Sequence, residues 1–355
     1  MLSRMPRPNR GRRGYSLIEL IIAVGLMGLI MTYITSTFTT QFQTYSVIDQ
    51  VSETQNNTRA VASMIELDIR NAGYMVPSFA AACGADSTSG SDALFLSDAS
   101  AILPVDQLPT SLRSQLLSAE VQGTPSASGT EWTMVVDDVV IDENATYDTD
   151  ANGVADSDFR VGGGVIVVDG DDSSRGIACG IVSAVTPATD TIVFDLTTTS
   201  LSGAMGVSGS LVLVPAIAYQ ITTPAGTTQT EIQRNGQALA RDVEDLQVAW
   251  FFDDDDDGIV DSLEYRASGL NIETTGGTVA ISPVPLQTFV TSTVNGEFLR
   301  EIRFNVVTRT RANDPRNPLA AGIGQATENR TTNIPAIDGR RRRVFSATVR
   351  MRNVS

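Results

Sequence analysis

The sequence predicts an α+β protein: one long N-terminal helix, apolar enough at its start to cross a membrane, followed by an antiparallel β-sheet domain with long loops. Three observations carry this expectation. Between Tyr15 and Ile48 the only charged residue is Glu19. Apolar residues then keep a spacing of three or four as far as Ile69. Beyond Gly73 the pattern changes to short alternating or continuous apolar runs set between turn-rich segments.

The chain begins with a basic stretch. Residues 1–14 hold Arg4, Arg7, Arg10, Arg12 and Arg13 and no acid. The run from Leu17 to Ile34 is long and apolar enough to span a bilayer as a helix, and the five arginines would hold its start in the cytoplasm. The remainder of the chain is then exported. A secretory signal peptide would end its apolar stretch in a small-residue cleavage site followed by polar sequence. Here the apolar helical pattern continues instead through Phe38, Phe42, Val47, Val51, Val61, Ile65 and Ile69. Asn71-Ala72-Gly73 supplies the stop, because glycine tolerates the left-handed closing conformation. From Tyr15 to Asn71 is 57 residues, about 85 Å of helix at 1.5 Å per residue. Roughly half of that rod must stand outside the membrane.

Glu19 is out of keeping with its surroundings. A carboxylate in a membrane helix costs on the order of 2.5–3.5 kcal/mol on insertion scales, so a partner is expected. A chain beginning at Tyr15 would place its α-amine one helical turn from Glu19, and a neighbouring helix could bring a second such amine. The alternative is a glutamate that reaches back to the cytoplasmic interface.

The exported part reads as strands at Ala93–Leu96, Trp132–Val136, Val165–Val168, Ile192–Leu196, Ser210–Val214, Val243–Phe252, Arg300–Thr308 and Val344–Met351. The expected architecture is a helical spine at 15–71 packed on one extended antiparallel sheet, bent or split, within an exported domain at 72–355. Asp86–Gly129 and Ala312–Arg343 are the least regular segments and read as long surface loops. Gly322-Ile323-Gly324 within the second is too isolated to be a phosphate loop and reads as linker.

Composition narrows the function classes. The formal charge of −16 argues against a nucleic-acid partner, since phosphate binding needs clustered cations. All 25 basic residues are arginine and there is no histidine. This excludes Ser–His and Cys–His catalysis, histidine-ligated metals and a lysine Schiff base. Paired carboxylates, as in glycosidases, are the remaining enzymatic option. The acids lie in Gly/Asp turns, however, and not beside apolar walls that would raise a pKa, so no catalytic residue is assigned. Cys83 and Cys179, in an exported domain, read as one disulfide, with two unrelated buried thiols as the alternative.

The run Asp253 to Glu264 has the internal order of a calcium loop. Asp253, Asp255 and Asp257 occupy the first, third and fifth positions, Gly258 the sixth, Asp261 the ninth and Glu264 the twelfth, with the Ile259 carbonyl as the backbone ligand. Mutual repulsion of five consecutive aspartates would be relieved by Ca2+. The alternative is a solvated acidic turn. A second, weaker loop holds Asp148, Asp150, Asn152 and Asp156, with Phe159 where the twelfth acid should be and Asp158 one position early. Asp169, Asp171 and Asp172 read as a third, solvated turn.

Gly14-Tyr15-Ser16-Leu17-Ile18-Glu19-Leu20, after a short basic leader, resembles the processing site of type IV prepilins and type II secretion pseudopilins. The resemblance implies that a prepilin peptidase removes 1–14 by cutting after Gly14, that Tyr15 becomes an N-methylated terminus, and that Glu19 takes the assembly role of the pilin glutamate. Leu67 to Tyr74, Arg234 to Ala240, Val243 to Val248 and the closing stretch Arg340 to Asn353 are similar to PilW-type minor pilins. The implied protein is an inner-membrane, single-pass subunit with its C-terminal domain in the periplasm, later in a pilus fibre or at the cell surface. Its implied partners are other minor and major pilins, the inner-membrane assembly platform and a tip adhesin. A J-type minor pseudopilin of type II secretion, and a calcium-dependent membrane-tethered adhesin module, are the alternative readings.

Overall fold

The computed structural model describes residues 15–77, 80–85, 90–97, 118–137, 139, 158–170, 176–199, 211–252, 273–274, 278–279, 299–314 and 338–353. One helix, α1, spans Leu17–Asn71. Two compact units divide the chain, Met1–Gln50 and Val51–Ser355.

The first unit contains the apolar start of α1, whose leucines, isoleucines and aromatic residues are exposed. This helix is long and apolar enough to cross a membrane. Its threonines satisfy their own hydroxyls. Thr32, Thr35, Thr37, Thr39 and Thr44 each donate to the carbonyl four residues earlier, so an apolar environment leaves none of the five without a partner.

In the second unit α1 turns amphipathic. Thr54, Thr58, Val61, Ala62, Ile65, Asp68 and Ile69 form one buried face at helical spacing. The helix stops where the sequence places a glycine. Gly73 takes φ 86°, and its N–H donates to the Ser97 carbonyl at 2.8 Å.

The strands in chain order are β1 (Ala82–Ala85), β2 (Ala93–Leu96), β3 (Ala119–Ser128), β4 (Glu131–Val136), β5 (Gly164–Asp169), β6 (Ile177–Thr186), β7 (Thr191–Thr199), β8 (Leu211–Thr222), β9 (Glu231–Arg234), β10 (Gln237–Arg241), β11 (Val243–Phe252), β12 (Glu273–Thr274), β13 (Thr278–Val279), β14 (Leu299–Arg309) and β15 (Arg342–Arg350). All described pairings are antiparallel.

The antiparallel sheet, expected to be bent or split, is divided into a closed barrel with its flanking strands, a separate three-stranded sheet β11-β14-β15, and the small pair β12-β13. The order β8-β3-β4-β7-β6-β5 returns to β8, because the first half of β8 pairs with β3 on one edge and β5 on the other. The second half of β8 leaves the barrel and pairs with β2 and β9. Met134, Val165, Val167, Val182, Ile192, Phe194, Leu211 and Leu213 belong to the barrel's own core. Ile166 and Val168 instead join Cys83, Phe95, Cys179 and Val214 in a second cluster. Strand β5 is thus buried on both faces, which accounts for its unbroken apolar run. A third cluster joins Val61, Ile65 and Ile69 of α1 to Leu94, Tyr219 and Ile232, and to Val248, Ile302, Phe304 and Val306 of the three-stranded sheet.

Two further expectations are corrected. The segment 86–129 is not only loop, since β3 closes the barrel within it. Asp169 is not part of a solvated turn: it ends β5 opposite Leu211 and is buried. Asp171 and Asp172 lie outside the described residues, as do Gly322-Ile323-Gly324.

Candidate functional site

At the start of α1, Gly14 lies outside the described residues and Tyr15 is exposed. The Ser16 N–H donates to Glu19 Oε2 at 2.9 Å. With the helix starting at Leu17, Ser16 is the N-cap and Glu19 the third helical residue, reaching back in half of a capping box. Ser16-x-x-Glu19 is the sequence signal for this cap. Within the single chain Glu19 has a partner, one backbone donor of its own helix end.

At the far end of α1 the sequence brings distant segments together. Asp68, on the buried helix face, accepts from Arg234 Nε at 2.8 Å and Nη2 at 3.2 Å, and from the Tyr219 hydroxyl. Burial, then the adjacent Asp68 charge, pushes the Tyr219 hydroxyl well above its ordinary range. Burial works against the charge on Arg234, but the hydrogen bonds and charge of Asp68 outweigh it and raise its pKa. The Asn353 side-chain amide donates to the carbonyls of Asn71 at 2.9 Å and Ala72 at 3.5 Å, so the end of the chain closes the last turn of α1.

A second charge cluster ties the three-stranded sheet. Arg342, on β15, reaches Glu244 of β11 through Nε at 2.6 Å and Nη2 at 3.0 Å, and Asp338 through Nη1 at 2.9 Å and Nη2 at 2.8 Å. Arg309 of β14 adds Nη1 to Glu244 at 2.9 Å. Burial opposes the cation on Arg342, yet the hydrogen bonds it donates to Asp338 and Glu244 raise its pKa. The Arg342 hydrogen bond, working against burial, lowers the Asp338 carboxyl below its usual range. The helix-end segment, the stretch 234–248 and the closing strand, far apart in sequence, thus meet through Asp68–Arg234, Glu244–Arg342 and Asn71–Asn353. Local periodicity could not have paired them.

Cys83 on β1 and Cys179 on β6 form a disulfide, with Cα atoms 6.3 Å apart and a sequence separation of 96. The reading of two unrelated thiols is set aside. Both proposed calcium loops, at Asp253–Glu264 and Asp148–Asp156, lie outside the described residues.

A family model described as type IV pilus-assembly protein W matches residues 214–353. A second, the prokaryotic N-terminal methylation motif, matches residues 9–35. No match is found among the curated proteins. Among solved structures, a type IV-like pilin from Thermus thermophilus is similar, with 13% identity over 55% of this chain and 89% of that chain, at a TM-score of 0.19.

Proposed function

We propose that the chain, matched by the pilus-assembly protein W model over 214–353 and by the N-terminal methylation motif over 9–35, is a type IV pilin-like protein and a minor pilin taking part in pilus initiation, assembly or tip structure. The observation that carries this is the continuity of α1. Its exposed apolar start lies within the methylation motif, and its end is held by Arg234 and Asn353 of the matched PilW region. Such a helix suits lateral packing in a filament while its last turns are fixed to a folded domain. In this reading prepilin peptidase cuts after Gly14, Tyr15 is N-methylated, and the subunit waits in the inner membrane with its β-rich part in the periplasm. Its partners are then other minor and major pilins and the assembly platform.

The test is the intact mass of the chain taken from native membranes and from sheared filaments. The expected species begins at methylated Tyr15, with the formal charge moved from −16 to −21 by loss of the five leader arginines, and is scarce in filaments relative to the major subunit. A piliated cell in which the chain retains Met1 or Met5 overturns the processing. Loss of protein secretion, with pili intact, on deletion of the gene would move the subunit to a type II secretion machine.

A further inference from the structure

The barrel is threaded into the rest of the second unit at one point. Strands β2 and β8 pair as Leu94 with Tyr219, Phe95 with Ala218 and Leu96 with Ile217, the register of a simple hairpin. At the place where its turn would stand, the Ser97 hydroxyl donates to the Pro215 carbonyl at 2.7 Å. The chain therefore leaves at Ser97 and returns at Pro215 to a position within hydrogen-bonding distance. Insertions succeed where the two ends of the inserted chain meet, since the closure penalty grows only slowly with length.

Three independent features mark the same boundary. The barrel's central cluster draws only on residues from Ala119 to Leu213. The match to the pilus-assembly family begins at 214. Charge is segregated as well: residues 98–214 hold 17 acids and 3 arginines, a net −14 out of the chain's −16. The rest of the chain beyond residues 1–14 holds 24 acids and 17 arginines, a net −7 spread over about twice the length.

We propose that the stretch between Ser97 and Pro215 is an accessory barrel inserted into the β2–β8 hairpin, and that the subunit carries two separable tasks. The pilin domain, built from α1, β2, the second half of β8, β9 to β11, β14 and β15, supplies anchoring and filament entry. The barrel supplies an acidic body that those steps do not need. It is docked through Ile166, Val168 and Val214 against Phe95, and by the Cys83–Cys179 bond, so it is separable in folding while fixed in place. The part concerning filament entry rests on the minor-pilin reading; the part concerning folding does not.

The test uses the full chain in detergent and in cells, with one large side chain removed from each core. Phe194 fills the barrel and Phe304 the pilin core, both fully buried. In native-state hydrogen exchange, Phe194→Ala should lower protection of β3, β4, β6 and β7 by roughly tenfold or more and leave β11, β14 and β15 within about twofold; Phe304→Ala should do the reverse. In cells, Phe194→Ala should enter filaments as the unaltered chain does, and Phe304→Ala should not. If either variant lowers protection equally in both sets of strands, the two are one cooperative body and the insertion is not a module. If exchange is local but Phe194→Ala is processed and then excluded from filaments, the barrel is needed for assembly and the separation of tasks is wrong. If Phe304→Ala enters filaments as freely as Phe194→Ala, filament entry does not depend on the core around Phe304 and the separation of tasks is wrong. If the unaltered chain itself is absent from filaments, the minor-pilin reading fails while the exchange result still decides the module.

Discussion

Arg234 holds Asp68 through both carboxylate oxygens, fixing the last turns of α1 to β9 across 166 residues of sequence. Asp68 is almost fully buried, whereas the Arg234 side chain keeps 31% of its surface in contact with solvent. Asp68→Ala should therefore cost about 2–4 kcal/mol, somewhat below the full penalty for breaking a buried pair, because the cation left behind is partly hydrated. Urea unfolding of the purified chain measures it. An unchanged midpoint would show that the pair only decorates a helix already held by its apolar face.

Tyr219 shares that carboxylate and gives a pH signature. Its folded pKa is raised above the ordinary 10.0, so its contribution is full below pH 10 and is lost as pH rises from there towards the folded value. The unfolded chain releases this proton first, which favours unfolding at alkaline pH. Tyr219→Phe should cost about 1–2 kcal/mol at pH 7 and flatten the decline in stability above pH 10. Parallel stability curves for the two chains between pH 8 and about 11 would refute the coupling.

Glu19 has two roles that a pair of variants separates. Glutamine at the third helical position can still complete the capping box, whereas alanine cannot. If the carboxylate serves only as a cap, Glu19→Gln should enter filaments normally. If its charge meets an α-amine during assembly, as proposed, Glu19→Gln should fail as Glu19→Ala does while both insert into the membrane. The readout is the ratio of membrane-bound to filament-bound chain.

The disulfide joins residues 96 apart, and in the chain-entropy view such a loop stabilises by on the order of 4–5 kcal/mol. Cys83→Ser and Cys179→Ser should lower stability by similar amounts, and the double variant should be no worse than either. A double variant clearly less stable than both singles would mean that the sulfur atoms also matter as packing.

Calcium binding at Asp253, Asp255, Asp257, Ile259, Asp261 and Glu264 is proposed on sequence alone. At free calcium ten times the dissociation constant, the folded state would gain about 1.4 kcal/mol. Calcium should raise the melting temperature of the exported domain more than magnesium does, and Asp255→Ala or Glu264→Ala should remove the increment. A melting temperature indifferent to calcium returns the run to a solvated turn.

The long helix was legible because its signals are local: a spacing of three or four and a glycine stop. Strands with strong β-branched or alternating runs were equally plain, and Val243–Phe252 was placed to the residue. Strand β3, AEVQGTPSAS, contains glycine and proline and exposes most of its side chains, so nothing in its pattern marks a strand. It is held by neighbours on both edges. Barrel closure was illegible for a related reason: whether a strand offers one edge or two depends on partners, not on its own alternation. The disulfide could be read because only two cysteines exist and the domain is exported. The clamp on α1 could not, since a buried aspartate at Asp68 looks locally like any polar residue on a helix.

Strand β8, the cystine and the apolar cluster around Phe95 give the barrel three attachments to the rest of the second unit. A body held by one strand can twist about that strand's axis; a covalent strut placed off the axis removes the rotation. If the subunit stands in a fibre, as proposed, shear would reach the end of the helix through a rigid bracket, and the barrel would keep one heading on each copy. Reduction of Cys83–Cys179 would leave β8 and the cluster around Phe95 to hold that heading alone.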